Sequence, residues 1–545
     1  MFTTHTPVPA GHDTFSENIL RTYIPHYAKR LNLSWEEFMN LGKVIPNNPD
    51  ENFSMSVLAM KLSLYTNGVS KIHGNVTKKM FNNLFEGFFP EELQNIKYVT
   101  NGVHMPTWVA NRWRKLYENE FPQGFIYSQS DPDYWKSIYD VEDRIIWDIR
   151  QAQRKDFIDF IKRRINCEMT QRQENPSLIS GIMEALNEKA LIIGFARRFA
   201  TYKRAHLLFR NIDRLSKIVN IKGKPVIFIF AGKAHPNDTG GKELIKKIIE
   251  ISRKPEFLGK VLFIENYDIE LAKRFVQSVD AWLNTPQRPM EASGTSGQKA
   301  IMNGVINISV LDGWWAEGYL PEAGWALKEE NTYENSELQN DLDAETIYNL
   351  LEEEIIPAFY QRNEYDIPEK WVKFIKNTIA KIAPRFTMKR MIDDYFSSIY
   401  TPMISHSTKL CLNNYENARL IAAWKRKVIN GWDSIEVISV DVPESTSDSI
   451  KLGDKFKAEV VIDMNELSDL DVGLEIIFIS KIANGHINKI SFIDEMKVIN
   501  KDKNKLTFSC DITIKNAGAY NYAFRLFPKH NLLPHKQDFP LVKWI

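Results

Sequence analysis

The chain has few cysteines and no excess charge of either sign. Its three cysteines, Cys167, Cys411 and Cys510, lie far apart in 545 residues, so they make neither a metal-ligand spacing nor a disulfide framework. The formal net charge of +1 gives no electrostatic reason to expect nucleic acid or an anionic membrane as a partner. The sequence shows no signal segment and no apolar run long enough to span a bilayer. We therefore expect a cytoplasmic protein.

Common ligand-binding signatures are also missing. There is no Gly-x-x-x-x-Gly-Lys-Ser/Thr element and no well-placed Gly-x-Gly-x-x-Gly, which argues against an NTPase or a dehydrogenase. His5 and His12 are seven residues apart in a Pro/Gly-rich loop without a neighbouring cysteine or carboxylate cluster. That pattern is weak for metal binding, and we expect no metal site.

The pattern of apolar residues changes three times along the chain, and the length suggests about three or four domains. Residues 1–188 are mixed but mostly helical, 189–343 alternate short apolar strands with helices, 344–434 are helical, and 435–545 are β-rich. Uniformly apolar strands between helices predict an α/β unit with a parallel sheet covered on both faces, of the doubly wound, Rossmann-like type. Period-two alternation in the last segment predicts a small β-sandwich.

A basic cluster follows the first apolar strand of the α/β segment. It contains Arg197, Arg198, Lys203 and Arg204 within eight residues. At the start of a helix, such a cluster predicts an anion-binding site. The alternative is a solvated basic helix face, which we consider weaker because these charges follow a buried strand.

Lys299 ends a Gly/Ser/Thr-rich stretch that begins at Glu291, and we expect this stretch to be a loop. A lysine there can grip a phosphate or form a Schiff base with an aldehyde cofactor. A carboxylate, then small residues with free N–H groups, then a lysine would suit a sugar hydroxyl beside a cofactor. The alternative is a surface lysine on a helix.

Two other turns could contact a ligand. Gly232 follows the next strand, where a small residue allows close backbone approach, although an ordinary turn also explains it. In the turn from Thr100 to Trp108, Asn101 and His104 could hydrogen-bond a polyol and Trp108 could form a flat apolar wall. A capped turn with a buried tryptophan is the alternative.

Together these residues resemble the α-glucan phosphorylases, the glycogen, starch and maltodextrin phosphorylase family, and most closely its shorter bacterial and archaeal branch. The likeness extends from Phe2 to about Tyr319. It rests on the order and spacing of Thr3-Thr4-His5-Thr6, Asn101-Gly102 with Trp108, Arg197-Arg198 with Tyr202-Lys203-Arg204, Gly232-Lys233-Ala234, and Glu291-Ala292-Ser293-Gly294-Thr295 with Lys299.

The resemblance implies a GT-B fold, with pyridoxal 5'-phosphate on Lys299 and phosphorolysis of α-1,4-glucan to glucose 1-phosphate. It implies that Arg198 and Lys203 hold the substrate phosphate, so that Lys299, Arg198 and Lys203 are the catalytic assignments. Arg197, Thr295 and Trp108 would contact the cofactor. The glucosyl unit would be held by His5, Asn101, Tyr202, Glu291, Ser293 and Gly294.

One spacing separates this family from related nucleotide-sugar glycosyltransferases, such as glycogen synthases, which carry two glutamates eight positions apart. This chain has Glu291 and Lys299 instead, which argues against a nucleotide-sugar donor. The family also has a long N-terminal portion that this sequence lacks. We therefore expect a truncated or split phosphorylase that could need an upstream polypeptide for activity and could form a homo-oligomer. The alternatives are a nucleotide-sugar glycosyltransferase and a non-catalytic glucan-binding fragment.

Overall fold

The computed structural model describes residues 1–327, 333, 335–442, 452–468, 471–480 and 489–545. The other residues of the predicted segments 189–343 and 435–545 lie outside this described part.

Short strands and helices make up the first 188 residues. The strands are β1 (Phe2–Thr3), β2 (Thr14–Phe15), β3 (Phe53–Ser54), β4 (Thr66–Gly68) and β5 (Ile96–Tyr98). The helices are α1 (Glu17–Tyr23), α2 (Tyr27–Arg30), α3 (Trp35–Asn40), α4 (Met55–Lys61), α5 (Lys71–Met80), α6 (Met105–Trp108), α7 (Asn111–Glu120), α8 (Pro132–Trp135), α9 (Asp143–Gln171) and α10 (Pro176–Ala185). Strands β1, β4 and β5 form a parallel sheet in that order, and β2 pairs with β3.

The next segment builds a six-stranded sheet in which every pair is parallel. Its strands are β6 (Leu191–Ala196), β7 (Val226–Ala231), β8 (Val261–Ile264), β9 (Ala281–Asn284), β10 (Ile306–Val310) and β11 (Trp325–Leu327). The helices between them are α11 (Ile212–Val219), α12 (Thr239–Ser252), α13 (Ile269–Ser278), α14 (Thr295–Ile301) and α15 (Trp315–Gly318). The predicted parallel α/β sheet is confirmed, with β11 as a strand that the sequence pattern missed.

Both faces of this sheet are buried, which explains its uniformly apolar strands. Along β6, Ile193 and Phe195 pack into one core cluster, whereas Ile192 and Ala196 pack into another on the opposite face. Alternate side chains of a strand point to opposite faces, so both sets must be apolar.

The strand order β11-β10-β9-β6-β7-β8 places β6 beside β9 in the middle of the sheet. From β6 the chain proceeds outward to β7 and β8, and from β9 it proceeds in the other direction to β10 and β11. The loops that leave the carboxyl ends of β6 and β9 therefore diverge and leave a crevice, which is where ligands bind in open parallel sheets.

Helices follow the sheet. They are α16 (Ser336–Asn349), α17 (Ile356–Tyr360), α18 (Glu369–Asn377), α19 (Met388–Tyr395) and α20 (Thr401–Gly431), with π-helical turns at Leu350–Ile355, Thr378–Ile382 and Phe396–Tyr400. Helix α20 is interrupted by non-helical backbone from Leu412 to Tyr415. No helix in the described ranges is both long enough and apolar enough to cross a membrane.

The last segment forms two antiparallel four-stranded sheets. Their strands are β12 (Glu436–Asp441), β13 (Lys455–Asp463), β14 (Val472–Ser480), β15 (Lys489–Glu495), β16 (Lys497–Asp502), β17 (Lys505–Thr513), β18 (Tyr520–Pro528) and β19 (Lys543–Trp544), ordered β12-β13-β17-β16 and β15-β14-β18-β19. Buried side chains from both sheets, such as Val460 and Leu474, share one core. The buried Arg525 of β18 binds Glu475 within this unit and Glu92 of the N-terminal part, so the two parts are in contact.

Candidate functional site

The crevice between β6 and β9 brings together three charged residues from two distant parts of the chain. Arg197 directly follows β6, Lys203 lies in a 3-10 turn (Thr201–Lys203), and Glu291 follows β9. Oε2 of Glu291 accepts hydrogen bonds from Nη2 of Arg197 at 3.0 Å and from Nζ of Lys203 at 2.5 Å. Glu291 and Lys203 are buried, so this pairing takes place largely out of water.

Burial and mutual attraction set the charges of this cluster. Burial alone would raise the pKa of Glu291, but Arg197 and Lys203 together outweigh it and hold that pKa below its usual value. Burial, followed by the charge of Arg197, lowers the pKa of Lys203 to about 7. The crevice therefore holds an ionised carboxylate, a permanent guanidinium, and a lysine whose proton is labile near neutral pH.

Arg198 and the half-buried Tyr202 lie on the same loop. Arg198 is exposed and its side chain is hydrogen-bonded to that of Tyr202. The Tyr202 ring centre lies 4.6 Å from Nζ of Lys203. Burial, followed by the charge of Glu291, raises the pKa of Tyr202, so its hydroxyl remains a hydrogen-bond donor at neutral pH. The structure thus groups Arg197, Arg198, Tyr202 and Lys203 around Glu291.

The fourth cation of the predicted basic cluster has a different role. Arg204 is buried, donates hydrogen bonds to the carbonyl oxygens of Thr285 and Pro286, and pairs with Asp343 at 2.6 Å. The expectation of a helix start at this cluster is also wrong, because two 3-10 turns precede α11, which begins at Ile212. Arg204 therefore stabilises the crevice wall instead of facing a ligand.

Gly232 supports this loop by close packing. A Cβ atom at Gly232 would lie 1.9 Å from the carbonyl oxygen of Arg197, and the N–H groups of Arg197 and Phe199 donate to Ala231 and Lys233. The close backbone approach expected at Gly232 is thus made to the neighbouring loop of the protein. Asp238, farther along, caps α12 by accepting a hydrogen bond from the Gly241 N–H at 2.8 Å.

Lys299 lies on helix α14, so the expectation that it lies in a loop is wrong. Its Nζ atom is 3.9 Å from the centre of the Trp108 ring, and burial lowers its pKa. A lowered pKa makes the neutral, nucleophilic form of a lysine amine more accessible. Lys299 is half-buried on this helix, and no carboxylate in the described part of the chain shifts its pKa.

Asn303 connects Trp108 to α14, the helix that carries Lys299 and is called the lysine helix below. No local sequence pattern points to Asn303. Its Nδ2 atom donates to the carbonyl oxygens of Trp108 at 3.0 Å and Lys299 at 2.9 Å, while its Oδ1 atom accepts from the Ala110 N–H at 2.8 Å. Every contact uses backbone atoms of the two segments, so this fully buried amide determines where the Trp108 ring sits relative to Lys299.

The loop between Glu291 and α14 is held tightly against the carboxylate. Ser293 is buried, and its Oγ atom has no hydrogen-bond partner among the described residues. Gly294 has φ +82°, and a Cβ atom there would lie 3.2 Å from Oε1 of Glu291. Ser293 and Gly294 thus lie between Glu291 and helix α14, and Thr295 is the first residue of that helix.

The carboxyl edge of the three-stranded sheet contacts this region. The carbonyl oxygen of Asn101, after β5, accepts a hydrogen bond from Nε2 of Gln298 at 2.9 Å. Glu317 of α15 accepts from the hydroxyl of Thr100 at 2.8 Å and from the Lys71 N–H at 2.9 Å. Asn101 is therefore next to the lysine helix, and Glu317 is a link between the two sheets that the sequence analysis missed.

The two N-terminal histidines, His5 and His12, make no contact with the crevice residues among the hydrogen bonds of the described ranges. His5 follows β1 and is exposed, and no hydrogen bond within the described ranges joins it to the crevice. The His12 ring is within hydrogen-bonding distance of the hydroxyl of Ser56 and the carbonyl oxygen of Thr6, at 2.8 and 2.9 Å. Over the part of the chain that the structure describes, no group of three or more His, Cys, Asp or Glu residues is arranged to hold a metal ion.

Comparison with known proteins decides the family. A family model described as carbohydrate phosphorylase matches residues 11–317, a range that contains nearly all of the crevice residues above. The chain belongs to the carbohydrate phosphorylase family. A second model, described as glycogen phosphorylase C-terminal domain, matches residues 432–545, the segment of the two antiparallel sheets.

Individual members of the family align with most of the chain. A maltodextrin phosphorylase of Thermococcus litoralis is 38% identical over all of this chain and 62% of the relative. A glycogen phosphorylase of Aquifex aeolicus is 39% identical over 74% of this chain and 57% of the relative. A glycogen phosphorylase of Mycobacterium tuberculosis is 32% identical over 99% of this chain and 63% of the relative. The chain thus spans about three fifths of the length of the curated relatives it matches.

Proposed function

We propose that this chain supplies the catalytic residues of an α-glucan phosphorylase, which uses inorganic phosphate to release glucose 1-phosphate from α-1,4-glucan. The observation that carries this proposal is the position of Lys299. It lies on α14, the helix that follows the Glu291 loop, and its amine lies against the Trp108 ring. Glu291, eight residues before Lys299, pairs with Arg197 and Lys203, which offer positive charge for phosphate. A cofactor lysine beside a phosphate-binding crevice is what phosphorolysis through a phosphate-bearing cofactor requires.

The proposed fold is GT-B. Its first domain would be 1–188, its second 189–343, completed by the helices of 344–434, and a β-sandwich would occupy 435–545. The contact of Asn101 with Gln298 supports this arrangement, because it sets the carboxyl edge of the first sheet against the lysine helix of the second.

The residues around Lys299 fit pyridoxal 5'-phosphate. Burial lowers the pKa of Lys299, which favours the neutral amine that reacts with an aldehyde, and Trp108 offers a flat wall. Oγ of Ser293 and Nε of Arg197 are buried without a partner in the described structure, so the crevice has hydrogen-bonding capacity for a further polar ligand. We assign Arg197 and Thr295 to the cofactor phosphate. When bound, the cofactor supplies a phosphate that can exchange a proton with inorganic phosphate.

We assign Arg198 and Lys203 to inorganic phosphate. The charge of Glu291 is shared between Arg197 and Lys203, so an incoming dianion would compete with Glu291 for both cations. Release from Lys203 would leave carboxylate lone pairs of Glu291 to accept hydrogen bonds from sugar hydroxyls. Tyr202, Ser293, Gly294, His5 and Asn101 would complete the glucosyl site.

Two other functions remain as alternatives. In a nucleotide-sugar glycosyltransferase, Arg197 and Lys203 would bind a diphosphate, but Lys299 stands where such enzymes carry a second glutamate. In a non-catalytic fragment, the same crevice would bind glucan without turnover. For the phosphorylase, we also propose a cytoplasmic location. We propose an upstream polypeptide as a partner that is needed for full activity. We further propose that the chain forms a homo-oligomer, which a measurement of its mass in solution would test.

The test combines covalent labelling with an activity assay. The purified chain is incubated with pyridoxal phosphate, reduced with borohydride and digested, and we expect the label on Lys299. Lys299→Ala should carry no label, whereas Lys155→Ala, a change at an exposed lysine of α9, should label normally.

Glucose 1-phosphate release from maltodextrin is then measured with and without the co-expressed upstream segment of a longer relative. A chain without label that uses a nucleotide sugar would support the glycosyltransferase. Label without glucose 1-phosphate in either form would support the glucan-binding fragment.

A further inference from the structure

A buried carboxylate lies behind the Glu291 loop without any role in the proposed chemistry. Asp312 follows β10, and 1% of its surface is exposed. Its Oδ2 atom accepts a hydrogen bond from the Glu291 N–H at 2.9 Å, and its Oδ1 atom accepts from the Gly313 N–H at 2.8 Å. Asp312 thus binds the backbone of the residue whose side chain occupies the crevice.

The turn that carries Asp312 holds the Glu291 loop at two further points. The Trp314 N–H donates to the carbonyl oxygen of Ser293 at 2.9 Å. Gly313 has φ +52°, and a Cβ atom there would lie 2.5 Å from the same Ser293 oxygen. These contacts join the loops after two adjacent parallel strands, β9 and β10, so Glu291 and Ser293 are positioned by the turn at 312–314.

We propose that Asp312 is a positioning residue for the glucosyl site, which in its ionised form holds the Glu291 backbone so that the Glu291 carboxylate faces the sugar. This inference rests on the proposed function, because it assigns the sugar to Glu291. Asp312 itself contacts neither substrate nor cofactor in this scheme.

The environment of Asp312 makes its hydrogen bond with the Glu291 N–H depend on pH. Burial raises the pKa of Asp312 to about 7, and the charge of Glu291 raises it too, while the two N–H donors and the charge of Arg288 oppose the shift. Glu291 and Arg288 are the charged side chains that act on it in the described structure. Two N–H groups donate to the Asp312 carboxylate. Protonation turns one of its oxygens into an O–H donor, which is a poorer partner for an N–H group. The hydrogen bond from the Glu291 N–H to Asp312 should therefore be strong above pH 7 and weaken below it.

The first experiment measures the strength of this hydrogen bond directly in the wild-type chain. Hydrogen exchange of the Glu291 amide, corrected for the intrinsic pH dependence of exchange, should show greater protection at pH 8 than at pH 6. Asp312→Asn should abolish this difference. Equal protection of the wild type at both values would overturn the proposal, whether or not the chain is a phosphorylase.

The second experiment uses D-glucose, an uncharged probe of the glucosyl site, with the chain loaded with pyridoxal phosphate. Asp312→Asn should bind glucose about tenfold more weakly than the wild type at pH 8, as expected for the loss of one hydrogen bond to a charged group. The difference should close by pH 6. Asp471→Asn, a change at a buried carboxylate that accepts from the Ser468 N–H in the C-terminal unit, should bind as the wild type does.

The outcomes separate this inference from the proposed function. A wild type that binds glucose and releases glucose 1-phosphate, but is matched by Asp312→Asn at pH 8, would contradict the positioning role alone. A wild type that retains no pyridoxal phosphate would contradict the function, and the amide exchange of Glu291 would then decide the role of Asp312.

Discussion

Nζ of Lys203 lies 2.5 Å from Oε2 of Glu291, and both side chains are buried. Arg197 contacts the same oxygen at 3.0 Å. One carboxylate is therefore shared by two residues that are candidates for binding phosphate groups. Any anion that enters the crevice meets a lysine whose protonation depends on pH.

Anion binding should weaken as the pH rises through 7. Burial lowers the pKa of Lys203 to about 7, so the ligand-free lysine is mostly charged at pH 6 and mostly neutral at pH 8. Sulfate, which does not titrate in this range, should bind about tenfold more weakly at pH 8 than at pH 6. The dissociation constant can be obtained from sulfate-dependent thermal stabilisation. Lys203→Met should lose this pH dependence, and Lys155→Met should keep it; identical profiles for all three proteins would contradict the prediction.

The Trp108 ring should strengthen cofactor binding. The ring centre lies 3.9 Å from Nζ of Lys299, so the ring lies where the pyridine ring of a cofactor on Lys299 would pack, and a pair of aromatic rings contributes roughly 1 kcal/mol. Trp108→Ala should raise the dissociation constant of pyridoxal phosphate by about fivefold or more, followed by the absorbance of the bound cofactor. Trp108→Phe should retain most of the affinity, and Trp544→Ala, at an exposed tryptophan, all of it. Unchanged affinity in Trp108→Ala would show that the ring is no part of the cofactor site.

The buried pair of Arg154 and Asp280 should matter for stability. Arg154 donates two hydrogen bonds to Oδ1 and Oδ2 of Asp280, and Oδ2 also accepts from the Ile192 N–H. Asp280→Ala should lower the free energy of unfolding by about 3–5 kcal/mol, because it leaves a buried guanidinium unpaired. Asp156→Ala breaks an exposed pair with Arg112 and should cost less than about 1 kcal/mol. Urea denaturation measures both, and equal losses would contradict the argument.

Arg525 should hold the C-terminal unit on the N-terminal part. It is fully buried and donates to the carboxylates of Glu92 and Glu475 and to the carbonyl oxygen of Gly87. In Arg525→Met we expect faster hydrogen exchange at residues 87–92, since the buried Glu475 and the half-buried Glu92 lose their shared partner. Lys455→Met, which breaks an exposed pair with Asp511 in the same unit, is the control. Protection of residues 87–92 that matches the wild type would show that the interface does not depend on Arg525.

The sheet could be predicted from its strands, whereas the lysine helix could not. Strands such as Val226–Ala231 are apolar at every position because both faces are covered. Helix α14 begins with Thr295, Ser296 and Gly297, a composition typical of loops. Gly297 is nonetheless helical, and a Cβ atom there would lie 2.8 Å from Trp314 and Asn307. Close packing against residues that follow in the chain therefore overrides a weak local propensity.

The candidate site was predictable in part for a related reason. Arg197, Lys203 and Glu291 could be anticipated because they follow apolar strands, and ligand sites collect where parallel strands end. Arg204 has the same chemistry and nearly the same position, yet it pairs with the buried Asp343. Asn303 carried no local signal, because its partners are backbone atoms of Trp108, Ala110 and Lys299.

The sequence by itself determined the α/β class of the central segment and the residue types available for an anion and a cofactor amine. Both follow from local patterns, namely uniform apolar runs and the cations and carboxylate placed after them. Only the tertiary structure decided that Glu291 pairs with both Arg197 and Lys203, that Trp108 contacts Lys299, and that Asp312 accepts a hydrogen bond from the Glu291 backbone. These relationships depend on strand order and on contacts between residues far apart in the chain, which local periodicity does not encode.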